Sequence, residues 1–184
     1  MIPELGHYAL ILAFCVSLVQ GILPLIGAHR QHSGWIALAR PAAWALNVML
    51  MFAFTCLTVA FIQNDFSVVY VVQHSNTLLP LPYRIAAVWG GHEGSLLLWA
   101  FMLGLWALAV ALFSKHLPPI MVARVVGVLG LVTAGFLLFI LASSNPFERL
   151  LPAVAEGRAP NPLLQDPART APPPTPPVGH GALP

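Results

Sequence analysis

Charge is what this sequence has least of. Lys, Arg, Asp and Glu together make up 8% of its 184 residues, eight basic against six acidic, for a formal net charge of +2. The basic residues stand singly along the chain with no Lys/Arg cluster, so a nucleic-acid surface and a polybasic lipid patch are not expected. Cysteine is nearly as scarce. Cys15 and Cys56 lie inside long apolar runs, without CxxC, CxxCH or a Cys/His spacing suited to zinc, which argues against structural zinc and against covalent c-type haem attachment to this chain. Both thiols are expected to be buried among apolar side chains. No Ser or Cys nucleophile constellation and no phosphate-cradling glycine loop is present either, so soluble-enzyme chemistry has no support and no catalytic residue is assigned.

What is abundant is apolar surface: 58% of the residues, with a mean hydropathy of +0.82. That lies outside the range of soluble domains and reads as an all-α, polytopic membrane protein. A helix needs about 20 uncharged residues to cross a hydrocarbon core of roughly 30 Å. Four stretches qualify, between Glu4 and Arg30, between Arg40 and Asp65, from Gly94 to Ser114 and from Val125 to Phe147, and they give spans at about 5–27, 41–63, 91–114 and 121–143. Each must be helical, because lipid-exposed backbone has no other way to satisfy its hydrogen bonds, and nothing alternates as barrel strands do. The first is read as an uncleaved span, since no basic segment precedes it and no small-residue cleavage pattern follows it. Arg30 and Arg40 flank one connection, and Lys115 with Arg124 the other, so the positive-inside rule puts these two loops in the cytoplasm. The loop 64–90 and both termini then lie outside, in the periplasm of a Gram-negative cell.

That outer loop mixes β-branched and aromatic residues in DFSVVYVVQHSN and then reads TLLPLPYR, where Pro80 and Pro82 argue against regular helix. An extended or interfacial segment is expected, with Tyr70, Tyr83 and Trp89 as interface aromatics. RIAAVWGGHEGSLLLW is compatible with one helix or with an interfacial helix followed by a break. Residues 152–184 hold ten of the eighteen prolines and no aromatic residue, so an irregular tail is expected.

The candidate site is the stretch Trp89 to Trp106. On a helix, His92, Ser95, Trp99, Met102 and Trp106 form one stripe that starts at the outer interface, and Gly90 and Gly94 allow close approach of another helix. Such a stripe suits a flat apolar ligand or a partner helix, with His92 and Glu93 at its wet end. It equally suits interface anchoring and plain packing. The remaining histidines are dispersed; His29 and His32 are three apart but lack a third ligand nearby, so no metal site is assigned.

The runs QNDFSVVYVVQHSNTLLPLPYRIAAVWGGHEGSLLLW, FLLFILASSNPFERLLP and EGRAPNPLLQDP, with the motifs SNT, YR, WG-HEGSLLLW, SNPF and NPLLQDP, strongly resemble the amino-terminal part of the CcmF/NrfE-like family of cytochrome c maturation haem lyase subunits, over about Pro3 to Pro167. The resemblance implies a bacterial inner-membrane protein facing the periplasm. Its family takes haem from a haem chaperone and joins it to the CxxCH thiols of apocytochrome c, alongside other maturation subunits. It implies haem as cofactor, with Trp89, His92, Glu93 and Trp99 as haem-proximal or partner-facing residues. The family's tryptophan-rich WWD segment and its haem-ligating histidines belong downstream of the matched region. After Asp166 and Pro167 the chain reads ARTAPPPTPPVGHGALP, where the family continues into a His-Pro-Pro motif. A frameshift or premature stop is the expectation drawn from that departure, and with it a chain that neither ligates haem nor forms thioethers alone. A non-catalytic scaffold or docking segment for the chaperone and apocytochrome is the alternative. A transporter is disfavoured because the four uncharged stretches leave no Asp, Glu, Lys or Arg in the interior of a span.

Overall fold

The computed structural model describes residues 1–150; the Pro-rich tail, the NPLLQDP motif and the divergent end fall outside the described residues. In chain order the helices are α1 (Ile2–Arg30), α2 (Ser33–Ala37), α3 (Ala39–Ile62), α4 (Val69–His74), α5 (Leu81–Ala87), α6 (His92–Phe113) and α7 (Pro119–Ser143). The four long ones, α1, α3, α6 and α7, are long and apolar enough to cross a membrane. Their limits follow local chemistry. Pro3 sits in the first turn of α1, where its missing N–H costs nothing, beside Glu4 at the positive end of the helix dipole. Gln31 ends α1 by turning into the left-handed region at φ 55°. The His32 ring then accepts the Trp35 N–H at 3.4 Å and caps α2, which uses one of the two histidines of the His29/His32 pair for structure.

The long helices form an antiparallel up-down-up-down bundle in which α1 packs on α3 and α7, and α6 closes the ring against the same two. Without a hydrophobic drive between helices in lipid, close van der Waals contact and interhelical hydrogen bonds hold such a bundle together. The α1–α7 seam uses both. A Cβ on Gly130 would stand 2.9 Å from the backbone N of Gly21, and one on Gly21 would meet Leu131 at 2.6 Å. At the same level Gln20, fully buried, donates from Nε2 to the Val126 carbonyl at 3.1 Å. Between α3 and α6 the rings of Phe54 and Phe101 stack at 6.0 Å, and Gly104 admits Leu50.

The core faces interleave small residues with leucines such as Leu10, Leu46, Leu50 and Leu97, and most of the tryptophans point outward. Ala9, Ala13, Ala43, Ala53, Ala100 and Ala107 are buried, whereas Trp44, Phe52, Trp99 and Trp106 are exposed. The expectation that both cysteines are buried is corrected here: Cys56 is buried between helices, but Cys15 is exposed on the outer face of α1. In lipid an outward thiol is as apolar a choice as an inward one, so an apolar run does not decide which way a cysteine points.

The short helices cap the two ends. At one end α2 lies across α1, with Trp35 against Gly27. At the other, the connection 63–91 is mostly folded rather than extended. Only the stretch around Val68 is strand-like, pairing with Arg149 as an isolated antiparallel bridge; helix α4 follows at once. The two prolines also do less than expected: Pro80 is the N-cap and Pro82 falls in the first turn of α5, positions where no intrahelical N–H is required.

Candidate functional site

The end of the bundle that carries loop 63–91 is organised around Tyr70. Read from sequence as an interface aromatic, it is instead 2% exposed. Its hydroxyl donates to the Val88 carbonyl at 3.0 Å and accepts the Gly91 N–H at 3.1 Å, so one side chain ties α4 to the break between α5 and α6. Its ring meets Phe61 edge-on at 5.3 Å and lies against His74 at 4.6 Å. Burial pushes the Tyr70 hydroxyl up to about 12, opposed by the backbone of Gly91 and Gly94 and reinforced by nearby Glu93. The tautomer of His74 follows from its partner: Nδ1 stands 3.1 Å from the Tyr70 carbonyl, which only accepts, so Nδ1 carries the proton and Nε2 faces Gly91.

Two glycines make this arrangement possible. A Cβ on Gly91 would meet His74 Nε2 at 2.6 Å, and one on Gly94 would reach the Val88 carbonyl oxygen at 1.7 Å. Gly94 therefore admits a backbone strap rather than another helix, and Gly90, its expected companion, has ordinary van der Waals room at 3.5 Å. Between the two alternatives left open for RIAAVWGGHEGSLLLW, the chain adopts the break: α5 ends at Ala87 and α6 starts at His92 with Gly91 as its N-cap.

The other signature residues of this end serve the same framework. Arg84 donates to three carbonyls, Leu79 at 2.7 Å, Thr77 at 2.8 Å and Ile62 at 3.3 Å, and so fastens the SNT turn to the end of α3. Ser75 donates to Asn64 Oδ1 at 3.0 Å, while Asn64 turns at φ 50°. Asp65 accepts the Ser67 N–H at 3.2 Å and the Ser67 hydroxyl. In SNPF, Asn145 accepts the Phe147 N–H at 3.0 Å and directs its amide to His7 Nδ1 at 3.2 Å, and Phe147 packs beneath Gly6. Arg149 completes the closure, pairing with Glu4 at 3.1 Å and standing 3.9 Å from Asp65.

The four residues singled out from sequence sit on the outside of this framework. Trp89 is 45% exposed at the break, and Trp99 is 63% exposed on α6. His92 is exposed at the start of α6 with its ring edge-on to Phe139 at 6.4 Å, and Glu93 is half-buried. The stripe is one face, with Met102 and Trp106 exposed below Trp99, while Gly94, Leu97, Ala100 and Gly104 turn inward. It is not packing within this chain. The roles missed from sequence are those of Tyr70 as a buried post, Gln20 as a clasp, and Arg84 of the YR motif as a clasp; Tyr70 and Gln20 belong to none of the short motifs. A tyrosine spaced to meet two glycines beyond an X-Pro turn was the available signal for the first.

Haem, which the resemblance implies, needs an apolar slot and axial nitrogen ligands on its iron. The described residues do not make a complete site of that kind. His7 and His74 are engaged with Asn145 and Tyr70, and His92 faces outward on a single-sided surface. The cavity at this end, about 280 Å³, is lined by polar groups that include Glu4, His7, Asn145 and Arg149. Among the described residues no three His, Cys, Asp or Glu side chains group as metal ligands.

No protein-family model matches the chain. Whole proteins do. It is 59% identical over 167 residues to the cytochrome c-type biogenesis protein CcmF of Pseudomonas aeruginosa, covering 90% of this chain and 25% of that protein. With the cytochrome c-type biogenesis protein ccl1 of Rhodobacter capsulatus it shares 48% over 183 residues, 100% of this chain and 28% of the relative, so that alignment continues past Pro167. The solved structure of a cytochrome c haem lyase CcmF superposes with a TM-score of 0.77 at 28% identity, over 83% of this chain and 26% of that one. The chain thus spans about a quarter of the length of the relatives it matches.

Proposed function

Because this chain belongs to the CcmF family of cytochrome c-type biogenesis proteins, we propose that it forms the membrane platform of a haem lyase, at the periplasmic face of the bacterial inner membrane. In this reading residues 1–151 are the four-span region, and loop 64–90 and both termini are periplasmic. The platform presents the outer face of α6 to the haem-handling part of the lyase. The observation that carries the reading is that Ser75, Arg84 and Asn145 of the SNT, YR and SNPF motifs are spent on internal hydrogen bonds, while His92, Trp99, Met102 and Trp106 are turned outward together. A framework that consumes its signature residues and leaves one aromatic face open is built to hold something beside it. Trp89, His92, Glu93 and Trp99 are haem-proximal or partner-facing on this reading, and ligation and thioether formation require segments beyond this chain. Haem added to the purified protein in detergent gives no stoichiometric bis-histidine Soret spectrum; one that vanishes in His92→Ala would overturn the proposal.

A docking role for the outer loop is the second reading, supported by an apolar surface at its tip: Leu78 is 86% exposed, Tyr83 52% and Leu81 51%. Photocrosslinking from position 83 to the haem chaperone or to apocytochrome c tests it, and a loop that captures neither has no docking role. Tyr70 is unsuitable for that experiment, since its ring is buried.

A further inference from the structure

We propose that the opposite end of the bundle binds the head of one anionic phospholipid. A cleft of about 510 Å³ opens there, walled by Ile36 and Ala37 of α2, Ala39 and Arg40 of α3, and Pro119 and Val122 of α7. Its floor is small and apolar: Ala39, Ala43, Val122 and Ala123 are buried, and the space exists because alanines meet where larger side chains would close it. Three sources of positive potential converge on this space. The first turns of α3 and α7 both line it, bringing the positive ends of two helix dipoles to one cavity, with Ala42 donating to the Leu38 carbonyl and Met121 and Val122 to that of Pro118. The Arg40 guanidinium joins them. It is exposed and held by a single hydrogen bond at the outer limit of length, 3.5 Å to the Ser114 carbonyl, which leaves most of its five donors for a ligand. Among the described residues, all four acids, Glu4, Asp65, Glu93 and Glu148, belong to the other end of the bundle, so no carboxylate competes for the guanidinium.

Arg30, Lys115 and Arg124, isolated in sequence, are gathered at this same end by the antiparallel fold. The absence of a Lys/Arg cluster from the sequence therefore does not mean the absence of a basic surface. The walls select the ligand. A free phosphate gains nothing from Ile36, Ala37 and Val122, whereas a phospholipid lays its glycerol and upper acyl carbons there and its phosphate on Arg40. The ends of α2, α3 and α7 lie where headgroups meet hydrocarbon, which makes the cleft accessible from the bilayer.

Native mass spectrometry of the 184-residue protein in detergent tests the proposal with phosphatidylglycerol, phosphatidylcholine and inorganic phosphate as probes. Phosphatidylglycerol remains bound one to one and phosphatidylcholine does not. Arg40→Gln lowers retention about tenfold, the loss of one charge-assisted hydrogen bond. Ala37→Phe, which fills the cleft and leaves every charge in place, does the same, and Lys115→Gln, outside the walls, does not. Equal retention of the two lipids, unchanged retention in Arg40→Gln, displacement by inorganic phosphate, or a loss in Lys115→Gln as large as in Arg40→Gln each overturns it.

Discussion

Replacing Tyr70 with Phe removes one oxygen and orphans two backbone groups. The hydroxyl serves the Val88 carbonyl and the Gly91 N–H together, and at 2% exposure water does not take its place. An unpaired buried backbone group costs about 1–3 kcal/mol, so Tyr70→Phe lowers the unfolding free energy by at least that order at neutral pH. The same burial makes the wild-type contribution depend on pH in a defined window. The hydroxyl is raised from its ordinary value of 10.0 to about 12, so the fold holds the neutral phenol. Below pH 10 the proton is bound whether the chain is folded or not, and the contribution is complete. Between about 10 and 12 the unfolded chain has released the proton and the folded one has not. Stability then falls by about 1.4 kcal/mol per pH unit, roughly 3 kcal/mol in all. Tyrosinate absorbance during alkaline titration in detergent reads this directly, because Tyr70 is one of only three tyrosines. The wild-type protein shows a late step that Tyr70→Phe lacks, and its unfolding midpoint falls through the same window while that of the variant is flatter. A wild-type titration with no step later than that of the Tyr70→Phe variant, or a variant with the wild-type midpoint at neutral pH, would refute the reasoning.

The other predictions concern close approaches to backbone and the side chains that clasp it. Gly94→Ala puts a Cβ 1.7 Å from the Val88 carbonyl oxygen, a clash no rotamer relieves, and exceeds the usual 1–3 kcal/mol or so of overpacking; size-exclusion profiles and trypsin resistance show misassembly, and a native-like profile would refute it. Gly130→Leu forces α1 and α7 apart at Gly21 and lowers the thermal unfolding midpoint, whereas Gly135→Leu, which has open space around it, leaves it unchanged. Arg84→Ala frees three carbonyls and exposes the turn 75–80 to proteolysis; Arg84→Lys rescues this only in part, since an ammonium cannot reproduce the guanidinium fork. Gln20→Leu costs little, about 0.6 kcal/mol, typical of an interhelical hydrogen bond in a membrane, because its Oε1 is already buried without a partner; a loss several times larger by steric-trapping or denaturation measurements would mean that Gln20 is a central clasp.

The number of long helices was legible in the residues, because crossing a hydrocarbon core requires a length of uncharged chain and nothing else satisfies the backbone there. The antiparallel order followed from the same count. The break before His92 was visible only as an alternative, since Gly90, Gly91 and Gly94 permit a break without requiring one; Tyr70 and the Val88 strap make it necessary. The stripe His92, Ser95, Trp99, Met102 and Trp106 was legible as a face but not as an outward one.

What the sequence determined by itself was therefore the class of the protein, its helix count, its charge asymmetry and, through its motifs, its kinship. Only the tertiary structure decided which faces turn inward, that Tyr70 is a buried post while Cys15 looks outward, and that basic residues scattered in sequence gather at one end of the bundle. The physical reason is that lipid erases the contrast periodicity relies on: a face against the bilayer and a face against another helix are equally apolar. In this chain size carries part of the distinction, with alanines inside and Trp44, Trp89, Trp99 and Trp106 outside while Leu and Phe occur on both sides, and size acquires its meaning only when a second helix is there to be approached.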